Sequence, residues 1–411
     1  MTMIGRMAML LAGASLLACA SVAQAGTVRV TIAEYSKDTG PYFKEAAEAF
    51  QKANPDTKIE IEVVPWDNLQ QKLTTDISAG TNADLSIIGT RWLLDYVSQG
   101  VVAPLDSYIT PEFKGSFIET FLSPSVMDGK TYGLPIAASA RAMYYNKDVF
   151  TKAGVTEFPK TWADFQAAAA KIKASSPDVA PFGLQGKEIE TDVYFYYGLW
   201  ANGGAIVKDG KSGLDSQAAI DAAKLYKGFI DGGFTEPGVT SYAREDVQNL
   251  FKQGKVATVI TAPFLSGQIK KEAPDLKYGV APIPLGPDGK PFTYGVTDSI
   301  VLFENSKVKD EAFKFLAFLF TTEQRTAFDK NEGFLPVNAK EAQDPYFAED
   351  PDKKVFASLL PGAIFAPVIP GWEDIAQTTS NAIQTIYLGK GEIEPTLKEA
   401  AAKVNGILEK K

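Results

Sequence analysis

Within its first hundred residues the chain changes hydrophobic period again and again, and that alternation limits the folds open to it. Thr27 to Ile32 alternates and is β-branched, which reads as a strand. From Gly40-Pro41 onward, Phe43, Ala46, Ala47 and Phe50 recur at helical spacing, with proline pre-set for a first turn. Lys58 to Val64 places Ile59, Ile61 and Val63 on one strand face, and Leu69, Leu73 and Ile77 form a second helical stripe. Ala83 to Ile88 is a short apolar strand, and Arg91 to Ser98 a short helix stopped near Gly100. This β-α-β-α-β-α order predicts a parallel sheet covered by helices on both faces. In such a sheet the loops at the carboxyl ends of the strands face the ligand crevice. Those loops are Ala33 to Lys37, Pro65-Trp66-Asp67 and Gly89-Thr90-Arg91-Trp92.

The rest of the chain reads as a second α/β region with returns to the first. Tyr132 to Pro135 leads through the small residues Ala137, Ala138, Ser139 and Ala140 to Arg141, which suits a crossing between lobes. Thr161 caps a helix with Trp162, Phe165, Ala169 and Ile172 inward, and a further helix spans about Ser216 to Asp231. Val256 to Ile260 is a buried strand, and Gly295 to Phe303 a strand leading back to the first lobe. Helices follow around Ala312–Phe320 and Glu323–Lys330, then a third crossing at Gly333-Phe334-Leu335-Pro336. The last helix starts near Pro395 and buries Leu397, Ala401, Val404 and Leu408.

Arg6, the apolar run Met7 to Leu17 and the small-x-small end Ala23-Gln24-Ala25 make residues 1–25 a secretory signal peptide. The run is shorter than the ~20 residues of a bilayer span, so the mature chain is expected to begin at Gly26 in the periplasm. Cys19 is the one cysteine of the sequence, and a rival reading makes it a lipoprotein anchor. The body, with a formal net charge of −9 for the whole chain, has no basic block to hold nucleic acid or anionic lipid. Histidine is absent, which removes Ser-His-Asp and Cys-His catalysis and every His-ligated metal. No cofactor and no metal are expected.

Six stretches in order carry a resemblance. They are Tyr132 to Pro135, Met143 to Phe150, Phe158 to Phe165, Asn202-Gly203-Gly204, Phe251 to Ala257 and Gly333 to Val337. On them the chain resembles the family 1 extracellular solute-binding proteins of bacterial ABC importers, which bind sugars and oligosaccharides and are related to the maltose-binding protein. The resemblance covers nearly all of residues 27–408. It implies the type II periplasmic binding protein fold: α/β, two lobes, each a mainly parallel sheet flanked by helices, with the ligand cleft between them. The expected division is 26–138 with 295–332 for the N-terminal lobe, and 139–294 with 333–411 for the C-terminal lobe. It further implies a non-catalytic monomer that closes over a carbohydrate by a hinge and docks on inner-membrane permease subunits.

Sugar capture needs flat aromatic faces for C–H surfaces and planar polar groups for paired hydroxyls. On the first lobe the candidates are Tyr35 and Ser36 after the first strand, Trp66 after the second, and Thr90 and Arg91 after the third. Trp92 is expected to pack on its lobe. At the first crossing, Ser139 aligns with a position that bears a carboxylate in some relatives, and Arg141 would share its strand face. Arg91 with Arg141 would suit an acidic or sulfonated sugar, against the neutral sugar of the leading reading. On the second lobe the candidates are Asp192, Tyr194, Phe264 and Trp372, the last read as a stacking ring, and Asp298 is a further polar candidate near the second crossing. The residues leave other readings open: a glycosidase working with two carboxylates, ferric capture by Tyr144-Tyr145 and Tyr196-Tyr197, or a polyol, polyamine or peptide receptor.

Overall fold

The computed structural model describes residues 26–187, 191–286 and 289–410. The expected signal segment 1–25, with Cys19, lies outside them. Strand β1 (Gly26–Glu34), helix α1 (Thr39–Ala53), β2 (Thr57–Pro65), α2 (Trp66–Ala79) and β3 (Leu85–Gly89) follow the order expected from the sequence. Phe43, Ala46, Ala47 and Phe50 are the buried stripe of α1. Helix α2 starts directly at the end of β2, because extended Pro65 turns the chain, and it stops at left-handed Gly80.

The chain then runs through β4 (Leu134–Ser139), β5 (Ala142–Asn146), α3 (Trp162–Ser175), α4 (Thr191–Ala201), α5 (Gln217–Asp231), α6 (Arg244–Lys252), β6 (Thr258–Thr261), α7 (Phe264–Glu272) and β7 (Tyr278–Ala281). After them come β8 (Val296–Leu302), α8 (Lys309–Leu319), α9 (Thr322–Glu332), α10 (Trp372–Tyr387) and α11 (Ile393–Leu408). Among the described residues no helix is long and apolar enough to cross a membrane.

Of the sheets among the described residues, the two largest have the orders β2-β1-β3-β8-β4 and β6-β5-β7. In the first, β1 is parallel to β2 and β3, as the βαβ pattern requires, while β8 is antiparallel to β3 and β4. The reason lies in the connections. Strand β4 leaves the first sheet for the second and β8 returns, so the two must run in opposite directions when they lie side by side. The expectation of mainly parallel sheets fails in the second one, where β5 is antiparallel to both β6 and β7. There the parallel component comes from the 180–183 segment, which bridges Val256 and Val259.

The crossings run alongside one another. Val296 pairs with Ser139, Leu335 N–H donates to the Ala138 carbonyl at 2.9 Å, and the Thr293 hydroxyl both accepts from Arg141 N–H and donates to its carbonyl, at 2.8 and 2.7 Å. The third crossing carries the chain less far than its glycine-proline signature implied. Phe334 stacks on Phe328, Ile118 N–H donates to the Val337 carbonyl, and Phe117 bridges Asn338, so residues 334–338 pack on the first core. Contact with the second sheet begins near Asp352, which accepts from Ser266 and Tyr278, and at Phe356 beside Tyr144. Phe334 and Val337 are apolar and match the first core, and that burial outweighs the turn.

Candidate functional site

A cleft of about 500 Å³ opens at the carboxyl ends of β2 and β3 and is walled on its far side by the 185–187 segment, the start of α6, the 365–368 loop and α10. The carboxyl-end rule for α/β sheets places two of its walls, Trp66, Asp67 and Gln70 after β2 and Gly89, Thr90, Arg91 and Trp92 after β3; the Tyr294–Asp298 crossing joins them because β8 runs antiparallel to β3 and starts at that end.

The aromatic part of the site is a slipped stack. Trp66 lies against Trp92 with ring centroids 5.4 Å apart and 23° between planes, and Tyr35 continues the stack on the other side of Trp66 at 6.0 Å and 27°. Trp92 is buried, as expected of a packing ring, and Trp66 is half-exposed at the cleft. Such offset stacks are worth about 0.5–1.5 kcal/mol per pair beyond area burial. Tyr35 is absent from the lining but acts on it, donating its hydroxyl to Asp298 at 2.8 Å. Burial, then the Asp298 charge, holds this phenol well above its ordinary pKa, so it stays a donor. Ser36 caps its own turn by accepting from Asp38 N–H.

Thr90 lines the cleft and shares a hydroxyl chain with Ser299 and Ser125, each step 2.7 Å. Arg91 reaches across to the second lobe and meets Glu373 with both prongs of its guanidinium, Nη2 to Oε2 at 2.8 Å and Nε to Oε1. Burial opposes the Arg91 charge, but Tyr294, Asp192 and Glu373 outweigh that and leave the group more strongly cationic than usual.

Several expected contacts fall elsewhere. Trp372 is 2% exposed, sits in the second core beside Tyr196, and does not line the cleft. The first turn of α10 points its ring inward, which corrects the stacking role. Tyr194 is also buried and donates to the Ile260 carbonyl, tying α4 to β6. Asp192 is 1% exposed and outside the cleft lining, and its charge acts on Arg91 and Tyr196. Helix α4 is buried nearly all round, so its residues had no solvent face to turn toward a ligand. Ser139 and Arg141 do share a face, with Nη1 donating to Oγ at 2.8 Å, but both are buried behind the crossing. Phe264 lies under the Arg244 guanidinium at 5.7 Å, with its backbone against Gly333, and is outside the lining. Of the twelve candidates, Trp66, Thr90, Arg91 and Asp298 meet at the cleft.

The sequence reading missed the far wall. Gln377, Ser380 and Gln384 follow Glu373 at helical spacing and form the cleft face of α10. Gln384 also holds the Gly186 and Lys187 carbonyls at 2.9 Å. Phe365 lines the cleft and rests its ring on Gly295, where a Cβ would come within 2.4 Å of it. Gln185, Lys187, Arg244 and Glu245 complete that wall.

Comparisons with known proteins agree with this layout. The model of the bacterial extracellular solute-binding proteins matches residues 33–326. A protein of Brucella abortus (strain 2308), whose name gives binding and no ligand, is 66% identical over 402 residues, 98% of each chain. The maltotriose-binding protein of Pyrococcus abyssi (strain GE5 / Orsay) is 27% identical over 369 residues, 87% of this chain and 77% of that one. An ABC transporter solute-binding protein from Thermotoga lettingae TMO, solved with alpha-D-tagatose bound, superposes with a TM-score of 0.86 at 25% identity over 93% of this chain and 100% of its own. A cleft at the strand ends, three crossings beneath it and a family match over most of the chain lead to one conclusion: the protein belongs to the bacterial extracellular solute-binding proteins, a non-enzymatic family that serves ABC transporters.

Proposed function

We propose that the protein is a periplasmic receptor that captures a neutral carbohydrate in this cleft. It closes over the ligand as a monomer by a hinge and passes it to inner-membrane ABC permease subunits. The moving bodies are the two lobes, with residues 26–138 and 295–332 in the first. The second takes 139–294 and the chain from about 350 onward, with 333–345 assigned to the first lobe on the packing described above.

The observation that carries this reading is the chemistry of the lining. Flat rings (Trp66, Trp92, Tyr294 and Phe365) stand around side-chain amides (Gln70, Gln185, Gln377 and Gln384) in a cleft of about 500 Å³. Rings cover the C–H faces of a sugar and amides bridge neighbouring hydroxyls. That volume lies within the ~300–1,000 Å³ of small-molecule sites. Among the described lining residues the cations Arg91, Lys187 and Arg244 are matched in number by Asp67, Glu245 and Asp298. Arg244 also meets Glu245 at 2.7 Å. A balanced lining favours an uncharged solute, and with Arg141 behind the crossing the two-arginine idea of an anionic sugar loses its second member. The maltotriose and tagatose in the names of the relatives point the same way. Ferric capture is disfavoured, because Tyr144 and Tyr196 are fully buried in two different apolar clusters and neither lines the cleft.

The test is a thermal-shift screen of residues 26–411 with mono- and oligosaccharides, polyols, uronates, polyamines and Fe(III). A ligand at 100 times its Kd adds ~2.7 kcal/mol of stability, so a true ligand gives a clear shift. A response confined to polyamines or Fe(III) would overturn the carbohydrate reading.

A further inference from the structure

The Arg91–Glu373 pair joins the two walls of the cleft through charge. Arg91 stands on the turn after β3, on the first lobe, and lines the cleft. Glu373 stands in the first turn of α10, whose other side, with Trp372, Ile375 and Ile383, is sunk in the second core. The contact is a two-pronged guanidinium–carboxylate match, and the two side chains are 16% and 21% exposed. Such forks are the strongest ionic hydrogen bonds that side chains make, and they are stricter in geometry than a point charge. The charge of the buried Asp192 carboxylate also favours the Arg91 cation. One guanidinium thus has a carboxylate in its fork and feels the charge of a second. An anionic solute entering here meets an arginine whose fork is already filled.

We propose that Glu373 sets the charge selectivity of the cleft. By filling the Arg91 fork it turns the cleft's most directional anion-binding group into a contact between lobes, so that uncharged solutes are preferred. Without Glu373, Arg91 is an anion site. The proposal rests on solute capture in this cleft, but not on the solute's being a sugar.

Two measurements test it, one of which needs no sugar. The first is a titration of ligand-free protein with 1–20 mM sodium sulfate, followed by melting temperature against sodium chloride of equal ionic strength. Wild type is expected to show no sulfate-specific shift. Glu373→Ala, which vacates the fork, should gain one that corresponds to at least tenfold tighter sulfate binding, and the Arg91→Met/Glu373→Ala double variant should lose it. Glu373→Gln keeps the shape and removes the charge, and should gain part of the effect, which guards against a misfolded alanine variant. A wild-type sulfate shift as large as that of Glu373→Ala would overturn the proposal, as would a Glu373→Ala gain that survives loss of Arg91. The second measurement compares each neutral sugar that binds with the uronate of the same ring. The ratio of affinities should move toward the uronate by tenfold or more in Glu373→Ala, and an unmoved ratio would overturn the proposal. Silence of the wild type toward every sugar would sink the carbohydrate reading and leave the sulfate result to judge Glu373.

Discussion

Trp66 and Trp372 are both large rings that open helices, and the sequence offers both as cleft candidates. The first is half-exposed on the Tyr35–Trp66–Trp92 stack, and the second is 2% exposed inside the second core. They should therefore fail in different ways. Trp372→Ala removes a fully packed ring and is expected to cost about 3–5 kcal/mol of stability, read by urea unfolding. A loss under 1 kcal/mol would put the ring at the ligand after all. Trp66→Ala removes a ring with one face open, and is expected to weaken ligand binding by tenfold or more in isothermal titration while most of the stability remains. Unchanged affinity would take Trp66 out of the site. The sequence could locate both rings but could not orient them, because a shift of one residue turns a helical side chain by about 100°. The same limit hid Gln377, Ser380 and Gln384. A cleft-facing polar stripe has the composition of a solvent-facing one, and only packing tells them apart. Arg91 was legible for the opposite reason: a turn at a strand's carboxyl end has few places to go.

At the level of elements, α1, α2 and α3 were readable because each has one apolar stripe, while α4 has none and gave no phase. The 180–187 segment was harder. It belongs to no long strand, yet it supplies the parallel bridges of the second sheet and ends in Gln185 and Lys187 at the cleft. Glu236 supports it from behind, taking the Leu184 N–H on both carboxylate oxygens at 3.2 and 3.1 Å. Burial pushes the Glu236 carboxyl up to about 8, against the lowering effect of those backbone donors. The folded pKa lies above the ordinary carboxylate value of about 4.3, so the folded chain holds more protons in between. Its contribution to stability is complete below the unfolded pKa and is lost as the pH rises through the folded one. Glu236→Gln keeps an acceptor for Leu184 and removes the charge. It is expected to flatten the fall in stability between pH 5 and pH 8, seen in urea unfolding at pH 5, 6.5 and 8. Equal slopes for variant and wild type would show that the carboxyl ionises freely when folded.

For the whole molecule, a receptor of this kind works only if ligand binds the closed arrangement better than the open one. Under the proposed hinge closure the crossings bend, and beside them Gly333, at the edge of the first lobe, meets the second lobe backbone to backbone. It ends α9 in the left-handed region, with φ at +80°, and a Cβ there would stand 2.9 Å from the Phe264 Cα. Phe264 opens α7, whose Lys271 pairs at 2.9 Å with Asp38 on the opposite rim. That pair is exposed, with Lys271 58% accessible, and pairs of this type contribute about 0–1 kcal/mol. The backbone approach at Gly333 is therefore expected to limit how near the lobes come on this side more than the rim charges do. Gly333→Ala adds ~1–2 kcal/mol of left-handed strain and a contact that must be relieved by moving Phe264 away. It is expected to raise the Kd of the ligand by tenfold or more and to leave the radius of gyration in saturating ligand larger than in wild type. Lys271→Met is expected to change the Kd by less than a few fold. If Gly333→Ala compacts as fully as wild type and loses only stability, the strain is local and Gly333 does not limit closure.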